Sequence, residues 1–173
     1  MDARAQSGWL GGMFLIDPVS IVLGTSSSGT VPDNGTAAYN DGSGTLSLNV
    51  NTAFLNKNFS IIKLQAASDI TLNAGTTWNL SASTGLNSGE LILQAGGNII
   101  FNSTASQAAA ITDDNNLSVT LAAGCNFGNN SVQPGVGNIY LNGGDGQTRG
   151  GFIKTASGNI SLSRGENFTR DAA

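Results

Sequence analysis

Leu64-Gln65-Ala66-Ala67-Ser68-Asp69-Ile70-Thr71-Leu72-Asn73 is answered by Leu93-Gln94-Ala95-Gly96-Gly97-Asn98-Ile99-Ile100-Phe101-Asn102, 29 residues further on (64 to 93). Each copy is an apolar run, a small-residue corner, an Asp or Asn, and a second apolar run. A spacing of this size signals stacked supersecondary units. The phrase carries no constellation of reactive side chains, so it points to a shape before it points to a chemistry.

Degraded copies follow. Leu121-Ala122-Ala123-Gly124-Cys125-Asn126-Phe127 repeats the corner, and Gly137-Asn138-Ile139-Tyr140-Leu141 and Gly158-Asn159-Ile160-Ser161-Leu162 repeat the second half. Leu-to-Leu spacings of 29, 28, 20 and 21 (64, 93, 121, 141, 162) predict a unit near 20 residues with longer loops inserted early. The residue that persists is the corner: Asp69, Asn98, Asn126, Asn138 and Asn159 are expected to form a structural ladder. Asn tolerates left-handed corner geometry, and stacked amides pair along an axis.

Helix signals are nearly absent, with Asn51 to Asn58 the only expected helical turn. Strands are expected at Met13–Ile16, Val19–Leu23, Leu46–Val50, Phe59–Leu64, Asp69–Leu72, Trp78–Ser81, Glu90–Leu93 and Asn98–Phe101. Further strands follow at Leu117–Leu121, Asn138–Leu141, Gly151–Lys154 and Asn159–Leu162. Asp17-Pro18 ends the first strand because proline has no amide donor, and residues 25–44, rich in Ser, Gly, Asn and Asp, read as a long surface loop. Strands this short cannot bury a face alone, and like corners let successive units stack like over like. That favours an all-β parallel β-helix (a solenoid) over a sandwich. Six to eight turns, about 4.8 Å each, would make a rod of roughly 30–40 Å. Residues 1–58 form an irregular first part and 59–173 the regular rungs of one segment.

The 173 residues suffice for one domain with a core. Charged residues are only 10% of the chain, replaced by Asn, Ser, Thr and Gly. A net charge of −4 argues against nucleic acid or an anionic membrane as partner. Apolar runs of four or five residues exclude a transmembrane helix. No apolar stretch typical of a signal peptide follows Met1 to Gln6, so the chain is either cytosolic or a piece of a longer precursor, and its composition favours the second. The single cysteine, Cys125, has no internal partner and no His to activate it, and reads as a small corner filler.

Gly12-Met13-Phe14-Leu15-Ile16-Asp17-Pro18 is similar to a Leu-Ile/Leu-Asp-Pro landmark of the filamentous-haemagglutinin-like exoproteins of bacterial two-partner secretion. Asp69-Ile70-Thr71-Leu72-Asn73, then Thr77-Trp78, then Leu91-Ile92-Leu93-Gln94-Ala95-Gly96-Gly97-Asn98-Ile99 extend the resemblance over about residues 11–124. It implies a right-handed β-helix and a secreted, cell-surface adhesin.

Enzymes also use this architecture, and a glycosidase would need paired carboxylates about 5–10 Å apart. The only adjacent acids are Asp113-Asp114. These residues with Asn115, and Gly143-Gly144-Asp145-Gly146, could offer oxygen to calcium but read better as turns. Trp78 is expected to plug a corner of the core. Sequons at Asn34, Asn58, Asn79, Asn102, Asn116, Asn159 and Asn167 follow from strand alternation at corners, without requiring glycosylation. The expectation is a non-catalytic extracellular β-helix with no cofactor and no metal, contacting host or neighbouring-cell surfaces or glycans. The alternatives are a filament subunit stacking end to end and a polysaccharide-active enzyme.

Overall fold

The computed structural model describes residues 13–16, 18–26, 44–55, 59–128, 131–142 and 150–163. The chain is all-β with parallel sheets. Its elements are β1 (Met13–Ile16), β2 (Ser20–Gly24), β3 (Thr45–Asn49), β4 (Ile61–Ala66), β5 (Ile70–Leu72), β6 (Thr77–Asn79) and the short helix α1 (Leu80–Thr84). They continue as β7 (Ser88–Ala95), β8 (Ile99–Phe101), β9 (Ala110–Thr112), β10 (Asn116–Ala123), β11 (Cys125–Asn126) and β12 (Ser131–Val132). The last are β13 (Ile139–Leu141), β14 (Phe152–Lys154) and β15 (Ile160–Ser163).

From β4 onward, and apart from the β11-β12 hairpin, consecutive strands visit three sheets in rotation, whereas β2 and β3 are neighbours in one sheet. Sheet A has the order β1-β4-β7-β10-β15, sheet B β13-β8-β5-β2-β3 and sheet C β14-β9-β6. Every pair within these sheets is parallel, and among the described residues antiparallel pairing is confined to the small β11-β12 hairpin and an isolated bridge between Thr104 and Gln107. Among the described residues sheets A and B have five strands and sheet C three, against the six to eight units expected.

Register places like over like. In sheet A, Ile62, Leu91 and Val119 stack, as do Leu64, Leu93 and Leu121, and Ala66, Ala95 and Ala123. All nine are buried. Side chains alternate across a strand, so matching periods keep one face apolar through the stack. In sheet B the same role falls to Ile21, Ile70, Ile99 and Ile139, and in sheet C to Trp78, Ile111 and Ile153. Trp78 is fully buried, stacks on Phe54 at 5.4 Å between ring centroids, and donates its Nε1–H to Ser83 Oγ at 2.8 Å.

Register also corrects the repeat length. Leu121 pairs with Leu162, whereas Leu141 lies in sheet B opposite Phe101. The equivalent leucines of sheet A are therefore 29, 28 and 41 residues apart (64, 93, 121, 162), with no 20-residue unit. The 41-residue step contains the β11-β12 hairpin, inserted between Gly124 and the start of β13.

The expected helical turn at Asn51 to Asn58 is a run of turns over 51–55, closed by Ala53 N–H donating to Asn49 O at 2.8 Å, and residues 56–58 lie outside the described residues. The helix is instead α1. Asn79 caps it, its side chain accepting from Ala82 N at 3.1 Å, and Gly85 ends it with φ 74°. Most of the expected loop over 25–44, Gly143 to Gly146, and the sequons at Asn34, Asn58 and Asn167 fall outside the described residues.

Candidate functional site

Three of the five expected ladder residues meet at the corner between sheets A and B. Asp69 Oδ1 accepts from the backbone N of Asn98 at 2.6 Å and from Asn98 Nδ2 at 3.2 Å. Asn98 Oδ1 in turn accepts from Asn138 N at 3.0 Å, and Asn138 Nδ2 donates to Tyr140 Oη at 3.2 Å. Each corner residue thus holds the backbone of the next. The backbone repeats the pattern, with Gly97 N donating to Ser68 O and Gly124 N to Gly97 O. A Cβ at Gly97 would run into Asp69 Oδ1, so the close approach requires glycine.

Asn126 and Asn159 are not in this ladder. Asn126 sits in β11, where its Oδ1 accepts from Gly128 N at 2.9 Å in a local turn. Asn159 stands at the entry to sheet A, its backbone N donating to Ser118 Oγ at 3.1 Å.

The acidic pair lies at the corner between sheets C and A. Asp113 is buried, and its Oδ2 accepts from Asn115 N at 3.1 Å and Leu117 N at 2.9 Å. Its Oδ1 is buried with no hydrogen-bond partner. Asp114 is exposed, and its Oδ2 accepts from Asn79 Nδ2 at 2.6 Å. One carboxylate is thus engaged in shaping the chain turn and the other in a bond to a neighbouring strand. Among the described residues no group of three or more His, Cys, Asp or Glu side chains is placed to hold a metal ion.

Cys125 is half-buried and its thiol donates to Ala122 O at 3.3 Å. Burial pushes the thiol pKa up, opposed by the nearby Lys63 charge and a backbone hydrogen bond at Ala95. This disfavours the thiolate that nucleophilic chemistry needs.

The outer face of sheet A holds the concavity that strand-by-strand reading missed. An open groove of about 560 Å³ crosses the N-terminal ends of β4, β7, β10 and β15. Ile61, Glu90 and Ser118 stand side by side across three strands, with Thr120 and Ser161 paired beyond them. Glu90 Oε1 accepts from Thr120 Oγ1 at 2.7 Å, so the carboxylate leans diagonally and leaves Ser118 directly opposite. Farther along the face, Gln65 Nε2 donates to Gln94 Oε1 at 2.8 Å, a second cross-strand pair of like residues.

Comparison of the chain with protein-family models, with curated proteins and with solved structures finds no match.

Proposed function

We propose that the three sheets wind as a right-handed parallel β-helix, a solenoid whose work is to project an extracellular, adhesive surface without catalysing a reaction. The observation that carries this reading is the rotation of the strands from β4 onward through sheets A, B and C, interrupted only by the β11-β12 hairpin, with parallel, in-register pairing. A crossover between parallel neighbours of one sheet, such as β4 to β7, is right-handed in about 98% of cases, which supports the handedness. The outward rows mix hydroxyls and amides, such as Gln65, Gln94, Thr71 and Thr120, with aliphatics such as Ile92 and Ile100, and carry few charges, a surface suited to many weak contacts. The resemblance to filamentous-haemagglutinin-like exoproteins supports secretion to the cell surface and contact with host or neighbouring cells. The separate engagements of Asp113 and Asp114 support a structural use of the only adjacent acids.

Solution scattering and an adhesion assay test the reading together. An elongated particle, and beads coated with the chain that attach to epithelial or bacterial cells above albumin-coated beads, are the expected results. A spherical particle, or beads that attach no better than albumin, would sink it. So would depolymerisation of a polysaccharide that is lost in Asp113→Ala or Asp114→Ala.

A second reading, end-to-end stacking of copies into a filament, is favoured by one observation. Among the described residues β13, β14 and β15 are each the edge of their sheet, and Leu141, Phe152 and Ile160 there are 40%, 43% and 44% exposed. Unpaired parallel edges template further strands. Fibres whose length grows with protein concentration in electron micrographs are its expected signature, and monomers at every concentration would exclude it.

A further inference from the structure

We propose that the groove on the outer face of sheet A binds a neutral saccharide through Glu90, Ser118 and Thr120, with Ile61 as its apolar contact. The argument starts from which hydrogen-bonding capacity is already used. Thr120 spends its hydroxyl proton on Glu90 Oε1, so its oxygen lone pairs remain to accept. Ser118 Oγ accepts from Asn159 N, so its own proton remains to donate. Glu90 keeps its second carboxylate oxygen as an acceptor. The groove therefore offers donor and acceptor positions on adjacent strands about 4.8 Å apart, beside the aliphatic side chain of Ile61.

Vicinal hydroxyls on a ring with one C–H face match that arrangement. A carboxylate oxygen accepts from sugar hydroxyls, a serine proton is donated to another, and the C–H face lies on the aliphatic side chain. Charge narrows the class. No Lys or Arg lines the groove, and Lys63 stands two residues beyond Ile61 on the same face, outside the lining. Glu90 therefore faces the groove with no ion-pair partner among the described residues, which repels sulfated or carboxylated glycans. At the groove's edge Gly89 lets β7 begin close against Ser60, where a Cβ would meet the Ser60 carbonyl oxygen.

The inference rests on the adhesive reading and names the chemistry of one face of it. Titration calorimetry of the full chain would use galacto-, cello- and chito-oligosaccharides, with a sulfated galacto-oligosaccharide as the anionic counterpart. Saturable binding to at least one neutral oligosaccharide and none to the sulfated one is expected. Glu90→Gln keeps an acceptor for Thr120 but loses the charge-assisted bond, weakening binding about tenfold or more. Ser118→Ala weakens it roughly three- to tenfold. Thr71→Ala, on sheet B, leaves binding unchanged, and unaltered melting of all three variants separates contact from folding. Binding confined to the sulfated sugar, no binding to any neutral sugar, or equal weakening by Thr71→Ala would overturn the proposal. Loss of sugar binding while coated beads still attach to cells overturns the groove alone. Failure of the parent chain to attach overturns the adhesive reading beneath it.

Discussion

Asn98 donates twice to one atom, Asp69 Oδ1, from its backbone N at 2.6 Å and from its side-chain Nδ2 at 3.2 Å. A residue 29 positions upstream thereby fixes both the path of the chain and the orientation of the next corner amide. The backbone half of this arrangement recurs once, with Asn98 Oδ1 holding Asn138 N, while Asn138 Nδ2 donates to Tyr140 Oη. The corner is thus a relay in which each side chain satisfies the backbone donor of its successor.

Removing the first member should propagate. Asp69→Ala leaves the half-buried Asn98 N–H without its acceptor and should cost roughly 1–3 kcal/mol in urea denaturation. Asp69→Asn keeps an acceptor oxygen and should cost less than about 1 kcal/mol, chiefly the charge-assisted part of the bond. Equal stability of Asp69→Ala and the parent would mean that the backbone bonds hold the corner alone.

The glycine at this corner gives a coupled test. Gly97→Ala drives a methyl into Asp69 Oδ1 and should destabilise by about 1–3 kcal/mol. In the double variant with Asp69→Ala the obstructing carboxylate is gone. The two costs should therefore fall short of additivity by at least about 0.5 kcal/mol. Strict additivity would place the strain of Gly97→Ala elsewhere, against the neighbouring Ser68 carbonyl.

Alternation made sheets A and B legible. Leu64, Leu93 and Leu121 each sit in an inward-outward run whose period matches a strand. Strand β9 escaped because Ala110-Ile111-Thr112 holds only one large aliphatic, and its burial comes from Trp78 stacked beside Ile111. Helix α1 escaped because its five residues are too few to show a 3.6-residue period, and Leu80 extends the alternation of the strand before it. Asn79 ahead of it and Gly85 behind it are the cap signals that could have located it. The repeat length was misjudged for a physical reason. Gly-Asn followed by an aliphatic suits any corner, so Gly137-Asn138-Ile139 enters sheet B while Gly158-Asn159-Ile160 enters sheet A. The groove could not be read at all, because the adjacency of Glu90, Ser118 and Ile61 depends on cross-strand register.

The thiol at Cys125 should behave as a buried filler. Burial raises its pKa, so at pH 7.5 alkylation by iodoacetamide should be slower in the folded chain than in the urea-denatured one. Lys63→Met removes the charge that opposes the shift and should slow folded-state alkylation further. The folded state then binds more protons than the unfolded state between the ordinary thiol pKa and the raised one. Stability is thus unaffected below that window and falls as pH rises through it. Cys125→Ala should remove that slope, and a folded-state rate equal to the denatured one would refute the burial.

The stacked leucines of sheet A should show a graded cost that reports where the core closes. Leu93 is 1% exposed, flanked by Leu64 on one side and Leu121 on the other. Leu93→Ala leaves a cavity bounded on both sides by strands whose pairing resists collapse, and should cost roughly 2–5 kcal/mol. Leu162 occupies the same register on β15, an edge strand, and is only partly buried. Its truncation removes less contact and leaves a space open to solvent, so Leu162→Ala should cost less than about 1.5 kcal/mol. Matched urea midpoints for the two variants would contradict an edge at β15 and mean that further chain or a second copy covers it. A filament with the same stack throughout would produce that result only above its assembly concentration. Repeating both measurements at low and high protein concentration therefore separates an open edge from an occupied one.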